Sequence, residues 1–226
     1  MAGLGSGSGT VCSSFAIRGD DFYASPTEAP VALLENYEIP KSVHEPACGD
    51  GAIVEVLRAA GHTVYASDLV DRGCPDSFVA DFLAQAEPIP GVECCLTNPP
   101  YRYGHEFVRK SRELYPLTIM LLRLAFLESV RRSDILDAGD LESVLLFSRR
   151  LPFMHRANYT GKKNSNSGMP FAFFCWKRSH HGAATIRRIT YKKQPPRQVK
   201  LDFRLPDTPI EQYIRSSASH ETLNQT

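Results

Sequence analysis

Short apolar runs alternate with stretches of helical period over most of this chain. Residues 64–67, 92–97, 117–122 and 144–147 read as strands, and the run at 117–122 is apolar throughout, as expected of a parallel strand buried on both faces. Ile53, Val56, Leu57 and Ala60 recur at helical spacing over about residues 52–60. Phe107, Val108, Ser111 and Leu114 do so over 103–115, and a further helix is expected over 126–136. Residues 77–80 form a short strand. Residues 171–176 and 185–191 read as two closing strands joined through the turn-like His180-His181-Gly182. Strands alternating with helices predict an α/β fold with a doubly wound, mostly parallel sheet.

Two of the predicted strands run into loops of unusual chemistry. Residues 44–53, His-Glu-Pro-Ala-Cys-Gly-Asp-Gly-Ala-Ile, leave a short strand, turn through Gly49-Asp50-Gly51 and open a helix. Glycines at those positions let the backbone bend sharply and approach a ligand. Val54 stands where a third glycine of a dinucleotide fingerprint would fall, and no Gly-Lys-Ser/Thr follows, so neither that fingerprint nor a P-loop fits. The next strand ends at Asp68, where an acidic residue can accept from ribose hydroxyls or simply cap a turn.

The strand at 92–97 runs into Asn98-Pro99-Pro100-Tyr101. Two prolines fix φ and remove two backbone donors. The Asn98 amide and the carbonyls of Asn98 and Pro99 are therefore held where they can accept hydrogens from a planar amine, with the Tyr101 ring beside them. The same four residues also suit a polar strand cap followed by a proline turn.

Taken together, these motifs resemble the class I methyltransferases that use S-adenosylmethionine, and among them the N6-adenine methyltransferases of nucleic acids. The resemblance covers residues 22–176. It implies a seven-stranded, Rossmann-like sheet with an antiparallel hairpin at one side. Glu45, Pro46, Ala47, Gly49 and Gly51 match the family's cofactor loop, Asp68 its ribose position, and Asp81-Phe82 the pair flanking the cofactor adenine. Asn98, Pro99, Pro100 and Tyr101 match the catalytic motif, with Asn98 also near the cofactor. Residues 21–27, Asp-Phe-Tyr-Ala-Ser-Pro-Thr, resemble the element that closes over the methionine end, with Tyr23 and Pro26 as its contacts. The implied reaction is methyl transfer to the N6 amine of adenine, in DNA before RNA. Fuller family members carry a separate target-recognition domain for which this chain has no room. Two other readings stay open: a protein-glutamine methyltransferase, which uses the same four-residue motif, and a catalytically idle nucleic-acid-binding module.

Charge adds a substrate surface to that picture. The first 148 residues carry 21 acidic and 11 basic side chains, whereas residues 149–204 carry 14 Lys and Arg against Asp202 alone. A block this basic calls for an anionic partner, and nucleic acid is the natural one; a solvated face balancing the acidic half is the alternative. Arg150, Phe153, Lys162 and Lys163 are its candidate substrate contacts. Phe153 could close a base sandwich with Tyr101 or pack into the core.

The remaining features set limits. The glycine- and serine-rich residues 1–19 have flexible-linker composition, residues 20–204 form the catalytic domain, and the polar 205–226 read as a mobile tail. Six cysteines contain no C-x-x-C pair, so reduced thiols and no metal are expected. No signal sequence or membrane-length apolar stretch is found, which predicts a cytoplasmic protein. Nothing in the sequence speaks to oligomeric state.

Overall fold

A computed structural model describes residues 24–152 and 168–191. Eight strands form one sheet: β1 (Ser42–Glu45), β2 (Thr63–Asp68), β3 (Ser77–Val79), β4 (Cys94–Thr97), β5 (Leu117–Arg123), β6 (Leu141–Phe147), β7 (Phe171–Lys177) and β8 (Thr185–Ile189). Their order is β3-β2-β1-β4-β5-β7-β6-β8. Only β7 runs against its neighbours, pairing antiparallel with both β5 and β6. Among the described residues four α-helices accompany them: α1 (Glu28–Asn36), α2 (Ala52–Ala59), α3 (Gly104–Leu114) and the single turn α4 (Ser133–Leu136).

The inner strands β1, β2 and β4 to β7 are buried on both faces because alternate residues enter two separate cores. Val43, Ala66, Leu96, Ile119, Leu121, Phe173 and Cys175 point to one side, where Leu33 of α1 and Ile53 and Leu57 of α2 meet them. Tyr65, Cys95, Met120, Leu122, Phe174 and Trp176 point to the other, against Phe107 and Val108 of α3 and Ile135 of α4. This is the doubly wound arrangement that the alternating pattern predicts. Cys94, Cys95 and Cys175 are buried free thiols within those strands, and burial pushes all three well above the ordinary thiol range.

Three expectations need correction. The sheet has eight strands, not seven. The two closing strands do not pair with each other: β7 lies between β5 and β6, while β8 adds to β6 in parallel at the sheet's edge. The side chains account for this. Phe171 to Trp176 are all buried and need neighbours on both sides, whereas Ile186, Arg187 and Arg188 are exposed and fit an edge, where charge discourages further pairing. Third, residues 126–136 are not one helix. They form two 3-10 turns (Leu124–Leu127 and Val130–Arg132) and then α4. Phe126 and Ile135 are anchored in the core, but Val130 between them is 91% exposed, so no continuous apolar stripe exists. Arg132 fastens the turn by donating to the Phe126 carbonyl (2.8 Å) and lying over its ring. Conversely, α1 escaped the sequence reading, although Ala29, Ala32 and Leu33 carry its helical signal.

In such sheets ligands bind beyond the carboxyl ends of the strands, where the strand order reverses. Here that point lies between β1 and β4, from which successive strands depart in opposite directions. The loops leaving these two strands are the Gly-x-Gly turn and Asn98-Pro-Pro-Tyr101. No helix among the described residues is long and apolar enough to cross a membrane.

Candidate active site

The loop after β1 owes its shape to two glycines and one carboxylate. Gly49 and Gly51 adopt φ of 57° and 91°, a region that side chains disfavour. A Cβ on Gly51 would also come within 3.0 Å of Cys74 Sγ. The Gly49 N–H donates to Asp68 Oδ2 (2.9 Å), while Asp68 Oδ1 accepts from the Val70 N–H (3.2 Å) and lies 3.6 Å from Arg72 Nε. Asp68 therefore ties the ends of β1 and β2 together at the rim of the site. Its carboxylate retains lone pairs for a ligand hydroxyl.

The second loop is held from above. Asn98 Nδ2 donates to Ser25 Oγ (2.9 Å), which ties the segment before α1 to the Asn98-Pro-Pro-Tyr101 loop. Pro99 is buried, and Pro100 starts a 3-10 turn (Tyr101–Tyr103) that runs directly into α3. The Tyr101 ring lies beneath the Arg123 guanidinium, 4.2 Å from its centre, with the Phe171 ring tilted against it at 6.0 Å.

Between the loops opens a cleft of about 400 Å³. Sites for small ligands commonly measure about 300–1,000 Å³. Pro46, Ala47, Asp68, Asp81, Phe82, Asn98, Pro99, Pro100 and Tyr101, all singled out in the sequence, line it. Asp81 also caps the 3-10 turn Phe82–Ala84, accepting from the Leu83 N–H at 2.9 Å, and this fixes Phe82 against Phe107. The cleft brings in residues that the sequence reading missed: Ser25, Leu69, Val70, Arg72 and Phe107. Ser25 sits beside the Tyr and Pro chosen from its motif, and Leu69 and Val70 follow Asp68 as exposed apolar residues.

Other candidates fall elsewhere. Pro26 does not line the cleft; its carbonyl accepts from the Ala29 N–H as α1 begins. Glu45 is fully buried beneath the loop and does not line it either. Arg150 is exposed at the end of β6, where its carbonyl accepts from the Tyr191 hydroxyl (2.6 Å). Tyr23, Phe153, Lys162 and Lys163 lie outside the described residues. Among the described residues, no group of three or more His, Cys, Asp or Glu is placed to hold a metal ion.

Two adjacent residues under the loop carry opposite electrostatic signatures. Burial lowers His44 to about 3 from its ordinary 6.5, so its ring is neutral, with Tyr115 Oη at 2.9 Å and Ser67 Oγ at 3.0 Å. Burial pushes the Glu45 carboxyl well above its ordinary range, although the Thr97 hydroxyl and Ala47 amide act the other way. In the unfolded chain His44 charges below about pH 6.5 and Glu45 ionises above about pH 4.5. The stability due to neutral His44 is thus lost as pH falls, and that due to protonated Glu45 is lost as pH rises. Between those values the two trends oppose each other. His44→Phe should gain on wild type as pH falls from 6.5 to 4.5, and Glu45→Gln as pH rises over the same interval, each by up to about 1.4 kcal/mol per pH unit. Urea unfolding across that interval measures both; parallel curves for all three proteins would contradict the burial of neutral groups.

No family model matches this chain, and no curated protein does. Several solved structures resemble it over part of the chain. One is the 23S rRNA methyltransferase ErmE, 18% identical over 71% of each chain, with a TM-score of 0.48. Another is Mtq2 of E. cuniculi in complex with Trm112, 17% identical over 71% of this chain and all of that one, at 0.49. A dimethyladenosine transferase from Plasmodium falciparum is 15% identical over 69% of this chain and 62% of its own, at 0.46. Similarity this distant says nothing of substrate. The strand order, the antiparallel β7 and helices on both faces carry the classification. They make this a doubly wound α/β fold with a mostly parallel sheet. Within it, the loops after β1 and β4 meet over one cleft at the reversal of strand order.

Proposed function

We propose that this protein is a methyltransferase that uses S-adenosylmethionine and acts on the exocyclic N6 amine of adenine in nucleic acid, with DNA the first substrate to test. The observation that carries this reading is the shared cleft: Asn98-Pro-Pro-Tyr101 faces the Gly-x-Gly loop and Asp68 across one cavity. The cofactor's chemistry suits that cavity. Cys48, Asp50 and Ala52 of the Gly-x-Gly loop wall it, Asp68 offers a carboxylate to ribose hydroxyls, and Phe82, Leu69 and Val70 supply apolar contacts for an adenine ring. When bound, the cofactor supplies an electrophilic methyl group.

The chain's own residues have the remaining work. The Asn98 amide oxygen and the Pro99 carbonyl accept the two amine hydrogens, directing the nitrogen lone pair toward the donor. They also stabilise positive charge as it grows on that nitrogen. Ser25 holds the Asn98 NH₂ group and so fixes which atoms of the amide face the substrate. The Tyr101 ring provides a surface for the flat base, a contact worth about 1–3 kcal/mol. An adenine paired in a duplex cannot reach such a cleft, so it is flipped out or comes from a single strand. No covalent nucleophile and no strong base are required, because the proton leaves the amine after transfer.

Support for nucleic acid comes from the catalytic edge. Arg149 and Arg150 are exposed there, and Tyr191 joins them through its hydrogen bond to the Arg150 carbonyl. The chain enters the basic residues 153–167 and 192–204 from these two points. S-adenosylhomocysteine should raise the melting temperature by mass action. No binding at millimolar concentration by calorimetry would overturn the enzyme assignment.

A further inference from the structure

Arg123 ends β5 at the same edge as the catalytic loop, opposite Phe171 in the register with β7. Its guanidinium carbon lies over Tyr101, 4.2 Å from the ring centre. Its Nε is buried with no hydrogen-bond acceptor, and none of the ion pairs among the described residues involves it. Other arginines near the site are committed: Arg72 to Asp68, Arg132 to the Phe126 carbonyl, Arg112 to Asp140. A partly buried guanidinium that is stacked but lacks an anion has its fork preorganised for one.

We infer that Arg123 binds a backbone phosphate next to the target nucleotide, with Tyr101 holding the guanidinium in place. This rests on the nucleic-acid reading above and sharpens it. Arg123 lies over Tyr101, which lines the cleft, but does not itself line it, so the guanidinium is placed for the sugar-phosphate chain beside the bound nucleotide rather than for the base. A glutamine-bearing peptide offers no phosphate at that position, so Arg123 also becomes a determinant of substrate class. A phosphate contact positions the substrate and carries no sequence information.

The test uses the full chain saturated with S-adenosylhomocysteine and a fluorescein-labelled pyrimidine oligodeoxynucleotide containing one adenine. Arg123→Gln should weaken binding about tenfold at low salt and reduce the logarithmic salt slope by about 0.7, the value for one contact on a single strand. Arg123→Lys keeps the charge and should keep the slope. Neutral methylphosphonates flanking the adenine should weaken wild type but leave Arg123→Gln almost unchanged. Equal losses in wild type and Arg123→Gln would overturn the phosphate contact, as would an unaltered slope in that variant. A raised dissociation constant for S-adenosylhomocysteine in Arg123→Gln would make the residue structural and also overturn it. If wild type binds no oligonucleotide at all, the nucleic-acid reading itself fails, a result distinct from the failure of Arg123 alone.

Discussion

Asn98→Ala should lower kcat by about a hundredfold or more while leaving cofactor affinity within a few-fold of wild type. The magnitude is that of deleting one preorganised polar group in other active sites, about 10²–10³. The variant removes an acceptor for the amine and also the group that Ser25 holds at 2.9 Å. Asn98 lies on the loop after β4, whereas the Gly-x-Gly turn follows β1 and Asp68 ends β2, so the variant leaves that side of the cleft untouched. Ser25→Ala should reproduce a smaller part of the defect, about tenfold, because the acceptor stays but loses its orientation. Single-turnover kinetics with saturating cofactor separates these effects from binding. Near-normal turnover in Asn98→Ala would reduce the motif to a strand cap followed by a proline turn.

Asp68→Ala should do the reverse, weakening the cofactor by about 10- to 100-fold and affecting the chemical step little once cofactor saturates. The side chain accepts from two backbone N–H groups on different loops and pairs with Arg72. Losing the acceptor leaves the buried Gly49 amide without it, at a cost of about 1–3 kcal/mol, besides any contact to the ribose, whereas the exposed Val70 amide can turn to water. Asp68→Asn retains an acceptor oxygen and should fall between. Calorimetry on the three proteins measures the order; equal affinities would detach Asp68 from the cofactor.

The two variants separate the site into halves, and those halves were unequally legible in the sequence. Motifs confined to a loop could be read directly, since Gly49, Gly51 and Asn98-Pro-Pro-Tyr101 impose their local geometry wherever they occur. Strands could be read because burial on both faces forces continuous apolar runs, as at residues 117–122. What escaped depends on partners distant in sequence. Ser25 meets Asn98 across 73 residues, and Arg123 meets Tyr101 only because β5 lies beside β4. The placement of β7 between β5 and β6 was hidden for the same reason, since β7 and β8 are neighbours in sequence but not in the sheet. Residues 126–136 misled differently: their apolar residues fit a helical period, but Val130 faces solvent. Glu45 matched a family motif by position, yet it is fully buried and does not line the cleft.

The substrate is tested most directly by its product. Wild type and Asn98→Ala are incubated with tritiated S-adenosylmethionine and, separately, DNA, RNA and a protein fraction. Each product is then digested to its units and resolved by chromatography. The account predicts label in N6-methyladenine from nucleic acid with wild type, and almost none with Asn98→Ala. Label confined to methylated glutamine in protein, or no transfer by an enzyme that binds S-adenosylhomocysteine, would contradict it.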